Sequence, residues 1–165
     1  MRSIIVVLCT ALGMSVVAFS AYGQMKGRPA VIDGDTLSFN IRIFGIDTPE
    51  KQQRCEKDGA CYLCGQDAKR HLETFVKDKD VTCTFTGAIT YGRPVGSCAV
   101  NGEDIGERMI NDGWALPYER YLKGQLKERY LAAADAAKLS RSGMHAGPFI
   151  PPEKWRRGER LACER

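Results

Sequence analysis

Two small groups of carboxylates lie close together in the first third of the chain. Asp33 and Asp35 belong to an Asp-Gly-Asp stretch, and Asp47 and Glu50 follow the apolar run that begins at Ile41. Burying such charges is costly unless they are paired or used. If the two strand-like segments pair as a tight hairpin, the carboxylates converge into a site of hard oxygen ligands suited to Ca²⁺. Asp-Gly-Asp by itself is more typical of a simple turn than of a metal site.

Two arginines accompany these acids. Arg42 interrupts the apolar run, and Arg93 ends a Tyr-Gly-Arg stretch just before another strand-like segment. A guanidinium group binds phosphate oxygens in a bidentate manner, so the pair suggests an anionic phosphate ester as ligand. Structural alternatives remain open at this point. Arg42 would form an ion pair with Asp35 or Asp47, and Arg93 would be a surface residue after a turn.

Short strands and a few helices must position these groups. Alternation predicts strands at 80–86 and 94–100, the latter ended by an Asn101-Gly102 turn, and a strand-like region at 29–46 with a turn at Phe39-Asn40. Helical spacing predicts helices over 64–76 and after Tyr121, and Asp104 with Glu107 resembles a capping box. Residues 47–62 are expected to be a loop. The pattern indicates one α+β domain.

The amino terminus predicts export. Arg2 precedes an apolar run from Ile4 to Ala18, and Ala21-Tyr22-Gly23 is an acceptable cleavage site, so residues 1–23 are interpreted as a signal peptide and 24–165 as a single domain. An uncleaved membrane anchor is the alternative. The chain carries a net charge of +4, which falls to +3 without Arg2, a value compatible with a polyanionic partner.

Six of the seven cysteines lie after the predicted signal peptide, and an even number in an exported chain indicates disulfides. Cys83 and Cys98 lie in adjacent strand-like segments and are expected to be cross-strand neighbours. The other four would then pair in one of three ways: Cys55, Cys61, Cys64 and Cys163. The alternatives are a zinc site formed by Cys55, Cys61 and Cys64 and a redox motif formed by Cys61 and Cys64.

The carboxyl-terminal stretch "GPFIPPEKWRRGER" is proline-rich and then basic. Its arginines, Arg156, Arg157 and Arg160, would either contact nucleic acid or form a solvated terminal group of charges. Composition favours the solvated group.

Taken together, three motifs resemble the staphylococcal nuclease, or thermonuclease, family: "VIDGDTLSF", "IRIFGIDTPE" and "YGR". The stretches "GWALPYERY" and "GPFIPPEKWRR" resemble downstream parts of exported bacterial members, so the similarity covers roughly residues 30 to 157. The resemblance implies a five-stranded OB-fold β-barrel with about three helices. It also implies a Ca²⁺-dependent endonuclease that hydrolyses DNA and RNA with little sequence specificity and leaves 3′-phosphate ends.

The same resemblance implies a role for each site residue. Asp35 and Asp47 would bind Ca²⁺ through carboxylates and Thr48 through its backbone carbonyl, with Asp33 in support. Glu50 would act as general base on the attacking water. Arg42 and Arg93 would neutralise the phosphate, and Arg93 would also assist the leaving oxygen. Three tyrosines would bind substrate: Tyr91, Tyr118 and Tyr121.

The chain departs from the family pattern in three places. Only seven residues separate Asp35 from Arg42, where the family usually has a longer hairpin; Thr90 replaces a frequent lysine; and Tyr118 is displaced by one position. The absence of the lysine predicts weaker substrate binding.

Two other functions compete with the nuclease. One is a catalytically inactive nuclease-like domain that binds single-stranded nucleic acid or a protein partner. The other is a disulfide-stabilised envelope protein whose acids and arginines only pair with one another. The enzyme is favoured because the chain retains all five charged residues of the family's core catalytic set: Asp35, Arg42, Asp47, Glu50 and Arg93. We expect a secreted or periplasmic monomer without stable membrane association after signal cleavage.

Overall fold

The computed structural model describes residues 23–164, so most of the predicted signal peptide lies outside the described residues. The strands are β1 (Gln24–Gly27), β2 (Val31–Asp33), β3 (Thr36–Leu37), β4 (Ile41–Ile43), β5 (Ile46–Asp47), β6 (Cys55–Lys57), β7 (Ala60–Tyr62), β8 (Val81–Thr90), β9 (Arg93–Val100), β10 (Glu103–Asp104) and β11 (Leu116–Pro117). The helices are α1 (Cys64–Val76), α2 (Ile105–Asn111), α3 (Gly124–Ser140) and α4 (Pro152–Arg156). Short 3₁₀ turns cover Glu119–Tyr121, Gly143–Ala146 and Ala162–Glu164.

The main sheet has the order β1-β8-β9-β4-β3-β2, with β10 added beside β9. All its pairs are antiparallel except β4 with β9, which run parallel. This parallel pair aligns Arg42 with Val95, while β3 aligns Thr36 with Arg42 on the other side. The arrangement therefore brings the start of β9, where Arg93 lies, beside the turn that follows β2.

The mixed α+β class is confirmed, and five strands form its centre: β2, β3, β4, β8 and β9. Within residues 23–164, no pairing joins β2 to β8, so this sheet does not close into a barrel. The described chain also has four α-helices rather than about three, because the short α4 forms in the proline-rich tail.

Helix α1 begins and ends where the apolar spacing predicts. Ala68, Leu72 and Val76 recur every four residues and are buried against the sheet. Burying a leucine-sized side chain contributes about 2 kcal/mol, which exceeds the intrinsic helix preference of any single residue. Packing of this one face therefore sets the position of α1. The amino-terminal end of α1 contacts the segment that contains Glu50.

One half of the predicted capping box, the N-cap Asp104, opens α2, while the Glu107 carboxylate pairs with Arg129. The Asp104 carboxylate accepts a hydrogen bond from the Glu107 backbone N–H at 2.9 Å. Its same oxygen, Oδ1, also accepts from the Tyr130 hydroxyl of α3 at 2.8 Å. One carboxylate thus joins the start of α2 to the middle of the longest helix. The preceding Asn101-Gly102 turn has positive φ at both residues, as a two-residue hairpin requires.

Two local expectations are wrong. The run from Ile41 to Ile46 is not one strand, because Gly45 adopts a φ of 76° and turns the chain between β4 and β5. Residues 47–62 are not simply a loop, since they contain the β6-β7 hairpin. Apolar composition alone does not reveal a turn inside a buried run, and that hairpin has too few apolar residues to show alternation.

The structure pairs all six cysteines. Cys83 and Cys98 are directly opposed on β8 and β9 and form the expected cross-strand disulfide. The remaining disulfides are Cys55–Cys64 and Cys61–Cys163. The zinc site and the redox motif are therefore wrong, because their sulfur atoms are engaged in structural bonds. Three disulfides are consistent with an extracellular or periplasmic location. No helix within 23–164 has the length and apolarity needed to span a membrane.

Candidate active site

An open groove of about 920 Å³ runs over the turns at the ends of β2, β4 and β5 and beneath the tip of the β8-β9 hairpin. Its lining includes most of the charged groups that the sequence assigns to the site: Asp33, Asp35, Arg42, Glu50 and Arg93. Both signs of charge therefore line one depression. Two clusters of side chains contribute charged groups to it.

The first cluster joins two arginines through a buried acid and a threonine. Arg93 donates from Nη1 to the Thr36 hydroxyl at 2.7 Å, and that hydroxyl donates to Asp35 Oδ1 at 3.0 Å. Arg42 Nη2 lies 3.6 Å from the other oxygen, Asp35 Oδ2. The short connection between β2 and β4 thus places Arg42 beside Asp35. This contact is the ion pair that the sequence left open as a structural alternative for Arg42. Both guanidinium groups still line the groove.

Asp35 is strongly affected by its surroundings. The residue is 8% exposed, and burial raises the pKa of its carboxyl group from the ordinary 3.8 to about 6. Arg42 lowers that pKa and the neighbouring Asp33 raises it, but neither outweighs burial. The ionised carboxylate therefore has too little positive charge around it, and one more cation would stabilise it.

The second cluster contains Asp47, Thr48 and Glu50. Asp47 lies at the end of β5, which pairs with β11, and it is 5% exposed. Glu50 reaches further outward, with its side chain 40% exposed. A Cβ at Gly65 in α1 would lie 1.8 Å from the Glu50 carbonyl oxygen, so only glycine permits this approach. The packing of α1 thereby sets the position of Glu50.

Arg156 is the site residue that the sequence interpretation missed. It donates from Nη1 to Asp47 Oδ1 and Glu50 Oε1, both at 2.8 Å, and from Nη2 to Asp47 Oδ2 at 3.0 Å. The expectation of a solvated charge is wrong for this residue, and for Arg160, which stacks on Trp155. Asp47 is 109 positions away in sequence, so no local pattern indicates the contact.

The donors near Asp35 and Asp47 fit a hard cation. Asp33-Gly34-Asp35 packs against Thr48, and a Cβ at Gly34 would lie 3.2 Å from the Thr48 hydroxyl oxygen. The turn that contains the buried Asp35 therefore lies beside Thr48, the residue that follows the buried Asp47. Within 23–164 no three acidic, histidine or cysteine side chains gather tightly enough to hold a metal by themselves. An ion would need carbonyl and water oxygens as well, which suits Ca²⁺.

Aromatic side chains line the other side of the groove. Tyr91 is 89% exposed at the hairpin tip, so it is not a core residue. Tyr121 is 54% exposed and meets Tyr118 edge-to-face with 5.2 Å between ring centroids. Exposed rings beside arginines provide surfaces on which bases stack irrespective of sequence. His145 instead packs against Phe149 and lies outside the groove lining.

We expect Asp35→Asn to stabilise the protein in the presence of a chelator. Because the folded-state pKa is raised, the native state binds more protons than the unfolded state between pH 3.8 and about 6. Stability therefore falls as pH rises through this window, and the full penalty is present above it. Asparagine removes the penalty and can still accept from Thr36. At pH 7.5 the free energy of unfolding should rise by ~1–2 kcal/mol.

The matched control is Asp58→Asn, which removes the same charge at an exposed hairpin turn with positive φ. Its effect should stay within about 0.5 kcal/mol. The stabilisation by Asp35→Asn should also disappear near pH 3.5, where the native carboxyl group is already protonated. If the Asp35→Asn protein is no more stable than the unmodified protein at pH 7.5, burial of the Asp35 charge is not a net cost.

Comparison with known proteins adds an independent finding. Residues 40–146 match the family model described as staphylococcal nuclease homologue. That match includes Arg42, Asp47, Glu50 and Arg93, and it ends before the segment that carries Arg156.

Three relatives illustrate the similarity. The chain is 32% identical over 124 residues to succinoglycan biosynthesis protein ExoI of Rhizobium meliloti, covering 72% of this chain and 63% of that protein. It is 29% identical over 165 residues to protein ParB of Escherichia coli, covering 89% and 88%. It is 29% identical over 125 residues to probable endonuclease LCL3 of Pyricularia oryzae, covering 70% and 48%. The chain thus spans less than two thirds of the first and third relatives.

Proposed function

Because the chain belongs to the staphylococcal nuclease family, whose domain is an OB-fold, we propose that it is a Ca²⁺-dependent endonuclease. Its substrates would be DNA and RNA, cut with little sequence specificity to leave 3′-phosphate ends. Family membership and the similarity to a probable endonuclease support nuclease activity in general. The cation requirement, the products and the residue roles are the parts that we propose.

One observation carries this proposal: Arg42, Arg93, the buried Asp35 and the outward Glu50 line a single groove with exposed tyrosines, and the buried Asp47 directly precedes Thr48 in its lining. A phosphodiester is anionic and repels an incoming nucleophile. Hydrolysis adds further negative charge at phosphorus, so groups that bind the more highly charged transition state more strongly accelerate the reaction. Arg42 and Arg93, held by Asp35 and Thr36, are suited to this task.

The remaining roles follow from position and chemistry. Asp35, Asp47 and the Thr48 carbonyl would hold Ca²⁺, which supplies Lewis-acid polarisation of the phosphate when bound. Glu50 would take a proton from the attacking water as the new oxygen–phosphorus bond forms. The bond from phosphorus to the 5′-oxygen would break, and Arg93 would donate a hydrogen bond to this departing oxygen, which takes up a proton from water to become the 5′-hydroxyl. The tyrosines at 91, 118 and 121 would contact phosphates and bases.

The proposal is tested by digestion of single-stranded DNA and RNA with purified, oxidised protein. We expect cleavage with Ca²⁺, none with chelator, and restoration on adding Ca²⁺ back. Treatment with a phosphatase should turn the products into 3′-hydroxyl ends that a polymerase can extend. An oxidised, folded protein that leaves both substrates intact with Ca²⁺ would contradict the nuclease function.

Measuring binding beside cleavage separates the competing functions. Binding of single-stranded nucleic acid without any cleavage would favour the inactive binding domain. A melting temperature unaffected by Ca²⁺ and by nucleotides would favour the envelope protein, because ligands that bind only the native state must stabilise it. Export by the predicted signal peptide and a monomeric state are further parts of the proposal.

A further inference from the structure

The guanidinium group of Arg156 forms hydrogen bonds with two acids of the candidate active site, Asp47 and Glu50. Both oxygens of Asp47 accept hydrogen bonds from it, and Glu50 accepts a third. The Arg156 side chain is 35% exposed, while that of Asp47 is 7% exposed. The pKa of this guanidinium is raised above its usual range, chiefly by the hydrogen bonds to Asp47. The arginine is therefore a permanent cation beside a buried acid.

A folded segment holds Arg156 in this place. We refer to residues 147–164 as the C-terminal strap. At its start, the Glu56 N–H donates to the Pro148 carbonyl at 2.9 Å. The fully buried Gln53 donates to the Ile150 carbonyl at 2.6 Å and accepts from the Glu50 N–H at 3.2 Å. One amide side chain thus links the strap to the backbone of Glu50.

The far end of the strap is fastened as well. Trp155 donates from its indole nitrogen to Glu164 at 3.0 Å, and Arg160 stacks on the same ring at 3.9 Å from its centroid. A disulfide joins Cys163 to Cys61 in β7. Arg156 is therefore held between two attachment points, which distinguishes it from a side chain on a free tail.

Arg156 and a divalent cation require the same carboxylate. Asp47 is one of the two acids suited to Ca²⁺, yet each of its oxygens already bonds to a guanidinium nitrogen. Two cations a few ångströms apart repel one another, most strongly where burial limits screening by water. Binding of the metal must therefore weaken or break the contact between Arg156 and Asp47.

We propose that Arg156 is a resident counter-cation of the metal site, which holds Asp47 and Glu50 together before Ca²⁺ binds and which Ca²⁺ must displace from Asp47. The arginine thereby lowers Ca²⁺ affinity and sets the Ca²⁺ concentration at which the site becomes active. This inference rests on the proposed binding of Ca²⁺ by Asp47. It makes Arg156 a positioning residue that acts through the metal ligands.

The test is the affinity for Ca²⁺ itself, measured by calorimetry and by the rise in melting temperature, on oxidised protein without nucleic acid. Arg156→Met keeps the aliphatic stem and removes the charge, and it should bind Ca²⁺ about tenfold more tightly than the unmodified protein. Arg156→Lys keeps the charge but loses the bidentate geometry, so its affinity should be intermediate. The control is Arg157→Met. It removes the same charge from the neighbouring residue, which pairs with Glu153.

Two results would overturn the inference: Arg156→Met binds Ca²⁺ no more tightly than the unmodified protein, or Arg157→Met increases affinity equally. If Arg156→Met does not fold, Arg156→Lys becomes the deciding variant, because its affinity for Ca²⁺ must still exceed that of the unmodified protein. Absence of Ca²⁺ binding in every variant also overturns it. Ca²⁺ binding with the expected order of affinities, but without cleavage of DNA, would contradict only the nuclease function.

Discussion

Replacing Arg93 with alanine is expected to lower turnover on single-stranded DNA by about 10³-fold or more, as removal of an arginine from a phosphoryl-transfer site typically does. Arg93 is one of the two groove cations attached to the Asp35 cluster, and its contact to Thr36 fixes the guanidinium within the groove. The Arg93 guanidinium stabilises the transition state more than the bound substrate, because negative charge increases there. We therefore expect kcat to fall more than KM rises.

The fold should survive this change. Arg93 makes its side-chain contact with a neutral hydroxyl, so no buried charge loses its partner. Arg93→Lys should recover only a small part of the rate, because an ammonium group cannot form the paired hydrogen bonds of a guanidinium. Arg28→Ala is the matched control, since Arg28 pairs with Asp80 away from the groove. Near-normal turnover of a folded Arg93→Ala protein would remove this residue from the active site.

Glu50→Gln is expected to reduce kcat by ~10²–10⁴-fold, the usual range for loss of a general base. Glutamine has nearly the same shape and can still accept the hydrogen bond from Arg156, but it cannot take a proton from water. The division of the effect between kcat and KM separates this role from a structural one. KM should change little, because glutamine keeps the contact with Arg156 and only the proton transfer is lost.

The control for this substitution is Glu153→Gln, which removes a carboxylate paired with Arg157 on α4. It changes the net charge by the same amount without touching Asp47. A folded Glu50→Gln protein that retains most of its activity would show that another group receives the proton.

The success of the local predictions has a common cause. The apolar spacing of α1, the N-cap at Asp104 and the turn at Asn101-Gly102 all depend on residues a few positions apart. Their stabilising contacts form within one element, so composition and spacing contain the needed information. The opposition of Cys83 and Cys98 follows in the same way from the hairpin that contains them.

The failures concern contacts whose partners are far apart in sequence. The turn at Gly45 depends on how β4 and β5 pack with β9 and β11, which the apolar run does not reveal. The attachment of the tail depends on Gln53, a polar residue in a segment with little pattern of its own. Such contacts become favourable only when the rest of the chain has brought both partners together.

By itself, the sequence determined the chemical groups of the site: the acids suited to a hard cation, the arginines suited to a phosphate, and six cysteines suited to disulfides. Those properties belong to side chains and hold wherever the chain places them. Only the tertiary structure decided the partners, because pairing depends on distance. It joined Cys61 to Cys163, Arg42 to Asp35, and Arg156 to Asp47 across 109 positions. A carboxylate binds whichever cation the fold brings near, and here that cation comes from the tail.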